Sequence, residues 1–463
     1  MNLAPSSSAA PPPTLFSAGS AGACIGAVAL ITLLAFETLA VATAMPAVAT
    51  ALDGMALYAL AFGGPLAASV PGMVLAGLWS DRHGVMRASA WGLALFALGL
   101  LVAGLAASMP MLVAGRVLQG LGSGMLGVTL YVGMGQVVPP ALHPRLFSLF
   151  ATAWVVPGLV GPMLAAWLAS QLGWRSVFLV VLAVLPVAAV LLLPAYARLP
   201  RPAPLPADAG ALTSARVRLA AALLGAVGAL LLHGAAGGDG LLGGLGLVAG
   251  LLLAWWAARR LLPAGSLRMA PGLPAVIAMR GLLAAAFATA EVFLPLALTR
   301  DQGWSLLHAG WALSVGAVAW SLGSAVQARL SEPCQRALGL QAGMVLITAG
   351  IGLLSLTLAL HGRTPGSVLA VALVVFSWAL SGLGVGLAFP ILSVQLLKLS
   401  APSEQGLNSS AMQLADALVT TAALAAAGLL ALHLPDAAGV MALAATLACV
   451  GALGARRVFP AGV

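Results

Sequence analysis

The sequence predicts an all-α membrane protein with two six-helix bundles and two extra central helices, on three observations: composition, the spacing of its apolar runs, and an internal repeat. The chain has 463 residues, of which 62% are hydrophobic and only 7% charged, with a mean hydropathy of +1.09. Soluble domains carry about 25% charged residues. A soluble globular protein is therefore excluded, and so is a disordered chain outside the first twenty residues and one central loop.

A membrane-spanning helix needs about 20 mostly apolar residues. Polar punctuation cuts the chain into fourteen such runs, over 21–45, 56–79, 88–107, 110–134, 144–169, 176–195, 219–235, 241–258, 274–298, 306–328, 339–361, 367–393, 408–432 and 437–455. Pro200, Pro202, Pro204 and Pro206 mark Arg198–Arg218 as a solvated linker rather than a helix. The glycines at 237, 238 and 240 leave the two runs after that linker open to a re-entrant reading. The expected organisation is a disordered cytoplasmic amino terminus over 1–20 and a first bundle over 21–197. The linker over 198–218 follows, then two extra helices with their loop over 219–272, a second bundle over 273–457 and a cytoplasmic tail over 458–463. The amino terminus lacks the basic region of a signal peptide, so the first apolar run is expected to stay attached.

The repeat is Gly120-Leu-Gly-Ser-Gly124 in the fourth run and Gly382-Leu-Gly-Val-Gly386 in the twelfth. With the extra pair set aside, each is fourth of six. Paired halves of this kind are how many transporters build a cavity at mid-membrane.

A net charge of +9 would suggest nucleic acid in a soluble protein. Here it sorts by side of the membrane instead. With the amino terminus in the cytoplasm, 15 of the 20 basic residues fall on the cytoplasmic side. Arg175, Arg300 and Arg363 fall outside, and Arg116 and Arg280 lie within spans. This is the positive-inside bias of a polytopic membrane protein with both termini cytoplasmic, and no nucleic-acid partner is implied.

No cofactor or metal site is signalled. Cys24, Cys334 and Cys449 are far apart, and His83, His143, His233, His308, His361 and His433 all lie at or near loops. Without an H-E-x-x-H run, paired cysteines or a phosphate-binding loop, nothing points to a membrane enzyme.

Four motifs carry a family resemblance. The loop between runs two and three reads Gly77-Leu-Trp-Ser-Asp81-Arg82-His83-Gly84-Val-Met-Arg87, close to G-x-L-x-D-R-x-G-R-[RK]. Run four contains Leu112-Val-Ala-Gly-Arg116-Val-Leu-Gln119-Gly120-Leu-Gly122. Run five contains Pro157-Gly158-Leu-Val-Gly161-Pro162, followed by Ala165-Ala166 where the related pattern has two glycines. Run one contains Phe36-Glu37 and ends at Pro46. Together these resemble the major facilitator superfamily, specifically its drug:proton antiporters with fourteen spans, in which the first-helix acid is more often Asp. The resemblance implies a major facilitator fold. It also implies gating or conformational roles for Gly77, Asp81, Arg82, Gly84, Arg87, Arg116, Gln119 and Gly120, and antiporter-motif roles for Gly158, Gly161 and Pro162. The second half's counterpart loop begins at Gly323 but has Gln327 in place of the acid.

Three acids lie inside apolar runs: Glu37, Glu291 and Asp416. Charges there are rare and mark ion or substrate pathways, and a desolvated carboxylate takes up a proton more readily. All three are therefore proton-coupling candidates. A cation-binding role or a static pair with Arg116 stays open for Glu37, as does a structural pair of Arg280 with Glu291 or Asp416, or of Gln413 with either acid. The expected function is proton-coupled export of lipophilic or cationic small molecules by a monomer using alternating access. A lipid translocator, a solute importer and a membrane scaffold or sensor are the alternatives. Nineteen arginines against one lysine, with abundant Ala, Gly and Leu, suggest a GC-rich genome and hence a bacterial cytoplasmic membrane.

Overall fold

Helices run between the polar interruptions of the sequence, and most ends fall within a few residues of those expected. The computed structural model describes residues 15, 20–139, 142–200, 209–235, 240–330, 332–361, 368–400, 405–434 and 436–459. Among them are fifteen α-helices and no strand. The first half holds α1 (Ala21–Ala51), α2 (Tyr58–His83), α3 (Val85–Gly104), α4 (Met109–Val137), α5 (His143–Thr152), α6 (Val155–Gln171) and α7 (Arg175–Ala197). Next come α8 (Ala209–Ala235) and α9 (Gly240–Leu261). The second half holds α10 (Leu273–Leu296), α11 (Leu306–Gln327), α12 (Pro333–His361), α13 (Val368–Leu399), α14 (Gln405–His433) and α15 (Ala438–Gly454). Eleven of the described helices are long and apolar enough to cross a membrane. The others are α8, α9 and the pair α5 and α6, which divide one run, so fourteen spans account for all fifteen helices.

Two expectations need correction. Run five is not continuous: it breaks at Ala153 and Trp154, between α5 and α6. Pro157 has no N–H to offer the carbonyl four residues earlier, at Ala153. Thr32 Oγ1 of α1 donates to that oxygen instead, at 3.4 Å. The linker is also shorter than expected, because α8 starts at Ala209 and carries Arg216 and Arg218. The helix resumes three residues beyond the last proline, Pro206; residues 201–208 lie outside the described residues, as does the amino terminus up to 19 apart from Leu15.

The halves repeat one packing scheme. In the first, α4 lies against α2 and α3, α1 against α6 and α7, and α3 against α7. In the second, α13 lies against α11 and α12, α10 against α14 and α15, and α12 against α15. The halves meet along α2 with α14 and along α6 with α11. Helix α8 covers the first of these seams by touching both α2 and α14, with α9 packed mainly behind it.

The glycine repeat explains why α4 and α13 fit where they do. Residues four apart share a helix face and the one between them turns away. Gly120 and Gly124 press on Pro65 and Ser69 of α2, while a methyl group on Gly122 would lie 2.5 Å from the Phe96 nitrogen of α3. Gly382 and Gly386 likewise press on Gly316 and Trp320 of α11, and a methyl on Gly384 would lie 2.5 Å from the Gly343 oxygen of α12. Without a hydrophobic drive between helices in lipid, such small-residue contacts hold the bundle together. Gly384→Val is therefore expected to remove most monodisperse protein in fluorescence-detected gel filtration. Gly352→Ala, whose added methyl meets nothing within 4 Å, should leave the yield unchanged.

Candidate functional site

Arg116 reaches the interior of the first half from about two turns into α4, and both it and Glu37 of α1 are 6% exposed. The guanidinium Nη1 donates to Glu37 Oε1 and, at 3.0 Å, to Gln119 Oε1. Its Nε donates to the Ala61 oxygen of α2 at 3.2 Å. That carbonyl is available because Pro65, four residues on, has no N–H to bind it. One arginine thus joins α1, α2 and α4, which is how an ion pair is tolerated in an apolar bundle. The Gln119 amide nitrogen is buried without a hydrogen-bond partner.

The second half has its own cluster, with the arginine on its first helix rather than its fourth. Arg280 of α10 donates from Nε to Asp416 Oδ2 of α14 and from Nη1 to Ser393 Oγ of α13, both at 3.0 Å. Its Cζ sits 3.1 Å above the centre of the Phe389 ring, a cation–π placement. Asp416 keeps its other oxygen, Oδ1, buried and unpartnered. Phe389 continues an aromatic series through Trp320, at 5.6 Å between ring centres, to Phe287, at 5.5 Å, and Trp378, stacked at 4.8 Å.

Glu291 is partly buried, and among the described residues it has no hydrogen bond or ion pair. It stands seven and eleven helix positions from Ala284 and Arg280, and at 100° per residue it shares a face of α10 with Arg280 and Phe287. Near this level Tyr58 of α2 crosses between the halves: its hydroxyl donates to the Val292 oxygen at 2.9 Å, and its ring lies 5.5 Å from that of Phe293.

The structure therefore brings Glu37, Arg116 and Gln119 into one cluster and puts Asp416 into a second, while Glu291 belongs to neither and Gly120 packs on Pro65 of α2. Run five's motif lies between the halves. Gly161 faces Phe36, beside Glu37, while Gly158 and Pro162 face Ala317 and Gly310 of α11. The loop motif lies apart from both clusters, at the end of α2. Gly84 makes its turn at φ +86°. Asp81, Arg82 and Arg87 are exposed and have no ion pair among the described residues, and a methyl on Gly77 would meet nothing within 4 Å. Two partners lie outside the acids and motifs named from the sequence: the Ala61 carbonyl, signalled by Pro65, and Ser393, for which the sequence carries no signal.

The family model described as Major Facilitator Superfamily matches residues 25–372. A probable multidrug-efflux transporter of Mycobacterium tuberculosis is 34% identical over 154 residues, 33% of this chain and 32% of that protein. Multidrug resistance protein 3 of Bacillus subtilis is 27% identical over 150 residues, 32% of this chain and 29% of that protein. The chain thus spans about a third of the length of each of these relatives. Among solved structures, a POT family transporter in complex with 5-aminolevulinic acid superposes with a TM-score of 0.68 at 16% identity, covering 93% of this chain and 94% of that one. At that identity the likeness concerns the fold.

Proposed function

Because the chain belongs to the major facilitator superfamily, a family of membrane transporters, we propose that it exports small lipophilic or cationic compounds from the cytoplasm in exchange for protons. The observation that carries this reading is Glu291, a carboxyl without a partner in an apolar helix, on the face that also presents Arg280 and Phe287. Such a group takes up and releases a proton without stranding a counter-ion. Glu37 and Asp416 remain coupling candidates, but each must leave an arginine to change its charge. The multidrug-efflux names of the two relatives support the substrate class. Export is tested by a drug-susceptibility panel in an efflux-deficient bacterial host. Native protein should raise resistance to at least one lipophilic cation, and Glu291→Gln should return it to the empty-vector level. A native chain that protects against no compound while accumulating one inside the cell would favour import.

The basic ends of the helices are taken as cytoplasmic, in a bacterial inner membrane, with the protein working as a monomer. Cys334, exposed at the start of α12, lies on that side. A membrane-impermeant maleimide should label it in inverted vesicles and leave it unlabelled in intact spheroplasts; the opposite pattern would reverse the topology.

The loop residues fit a role in switching between conformations. A contact changes an equilibrium only by the difference it makes between the two states. Among the described residues Asp81 has no ion pair in this one. Asp81→Asn should therefore slow transport several-fold with substrate affinity nearly unchanged, as measured by initial rates and equilibrium binding on the same preparation. Equal rates would remove Asp81 from the switch.

A further inference from the structure

At the basic end of the first half, the ends of α2, α4 and α7 and the start of α3 enclose a cleft of about 420 Å³. Four features converge on it. Helix α3 begins there with Gly84 as its cap, which offers no side-chain oxygen, so the first-turn amides at Val85, Met86 and Arg87 lack a capping partner. Ser80 lines the cleft, is 6% exposed, and its hydroxyl has no hydrogen-bond partner. Arg87, His83 and Gln136 complete the polar wall, with Arg82 and Arg198 at the same end. Asp81, the carboxylate of this turn, is not part of the lining.

The ends of α2, α4 and α7 bring carbonyl groups to the cleft, so its positive charge comes from Arg87; with the free amides at the start of α3 and the unmet Ser80 hydroxyl as donors, these groups form a receptor for a phosphate group. Trp91, one turn beyond Arg87 on α3, is 52% exposed and stacks on Trp79 with ring centres 6.0 Å apart. Exposed Leu98, seven residues further, extends the same apolar strip of α3. Aromatic residues of this kind sit at the headgroup level of a bilayer. We propose that the cleft binds a phosphate group at the cytoplasmic surface, with a phospholipid headgroup as the source the surroundings favour, its acyl chains running down α3 past Trp91 and Leu98.

The test uses the full-length protein, purified and stripped of lipid in a non-ionic detergent. Native mass spectrometry with phosphatidylglycerol should show one lipid retained beyond the non-specific background. Ser80→Ala and Arg87→Gln should each weaken that binding about tenfold, Arg87→Lys should largely restore it, and inorganic phosphate should displace the lipid. Diacylglycerol with the same chains should not be retained. Unchanged thermal unfolding of the lipid-free variants would show that the losses are local. If inorganic phosphate alone binds in an Arg87-dependent way, read by thermal shift, and the lipid does not, the site stands and its ligand is a soluble phosphate. Binding of lipid and phosphate that neither substitution alters, or retention of diacylglycerol equal to that of phosphatidylglycerol, would overturn the proposal.

Discussion

Arg116→Ala is expected to leave little folded protein in the membrane. The substitution strands the Glu37 carboxylate, the Ala61 carbonyl and the Gln119 side-chain oxygen, all of which Arg116 now satisfies inside the bundle. Breaking a buried ion pair on one side typically destabilises by about 3–5 kcal/mol, a large share of the roughly 5–15 kcal/mol that holds a protein folded. The readout is monodisperse yield and unfolding temperature in detergent. The double change Glu37→Gln with Arg116→Gln removes both charges and keeps groups that donate and accept, so it should recover most of the yield. Arg116→Ala that folds as well as the native chain would show that the pair contributes little. A double variant as poor as the single one would show that it is the Ala61 contact, rather than the ion pair, that matters.

The second large effect concerns coupling. Glu291→Gln should abolish uphill export driven by a pH gradient in proteoliposomes while leaving downhill exchange of the same compound. Glutamine keeps the size and hydrogen-bonding capacity of the acid but cannot carry a proton. No cation partner is stranded by the change, so folding yield should hold, which separates this variant from Arg116→Ala. Glu291→Asp keeps the acid about one methylene short and should retain part of the pH-driven activity. Full uphill export by a well-folded Glu291→Gln protein would move coupling to Glu37 or Asp416. Asp416→Asn, which leaves Arg280 in contact with Ser393 and the Phe389 ring, then decides between them: loss of uphill export by the well-folded variant would place coupling at Asp416, and full export would leave Glu37.

The spans were legible because a bilayer demands a length of apolar chain, and this sequence interrupts its apolar runs with arginine, proline and glycine at that interval. The repeated Gly-x-Gly-x-Gly was legible as a repeat, and its meaning needed the neighbours: two glycines press on one helix and the third on another. The break after Thr152 was not legible from hydropathy, because apolar residues flank it directly, Leu149-Phe-Ala before it and Ala153-Trp-Val-Val after it. It follows from one proline and a threonine 121 positions earlier in the chain. Helix α8 starts inside the Arg198–Arg218 segment because its prolines end at 206, and an alanine-rich stretch can form helix once they stop. In the site, the sequence placed Glu37, Glu291 and Asp416 in the membrane without deciding among a proton role, a cation role and a salt bridge. Partnership is a property of packing, and packing gave Glu37 and Asp416 an arginine each and left Glu291 without one.

The prolines inside the helices have a mechanical consequence. Pro65 frees the oxygen that Arg116 takes, and Pro157 frees the one that Thr32 takes. Pro390 frees the Gly386 oxygen, to which Ser324 of α11 donates at 3.3 Å. Each freed oxygen is a pin that accepts its partner at a single register, because sliding by one turn, about 5.4 Å, would carry the donor away and leave a bare carbonyl in a dry interior. All three pins join helices of the same half. Shear within a half therefore meets a polar penalty at these three points, whereas rotation of one half against the other breaks none of them and meets instead the Tyr58–Val292 hydrogen bond that crosses between the halves.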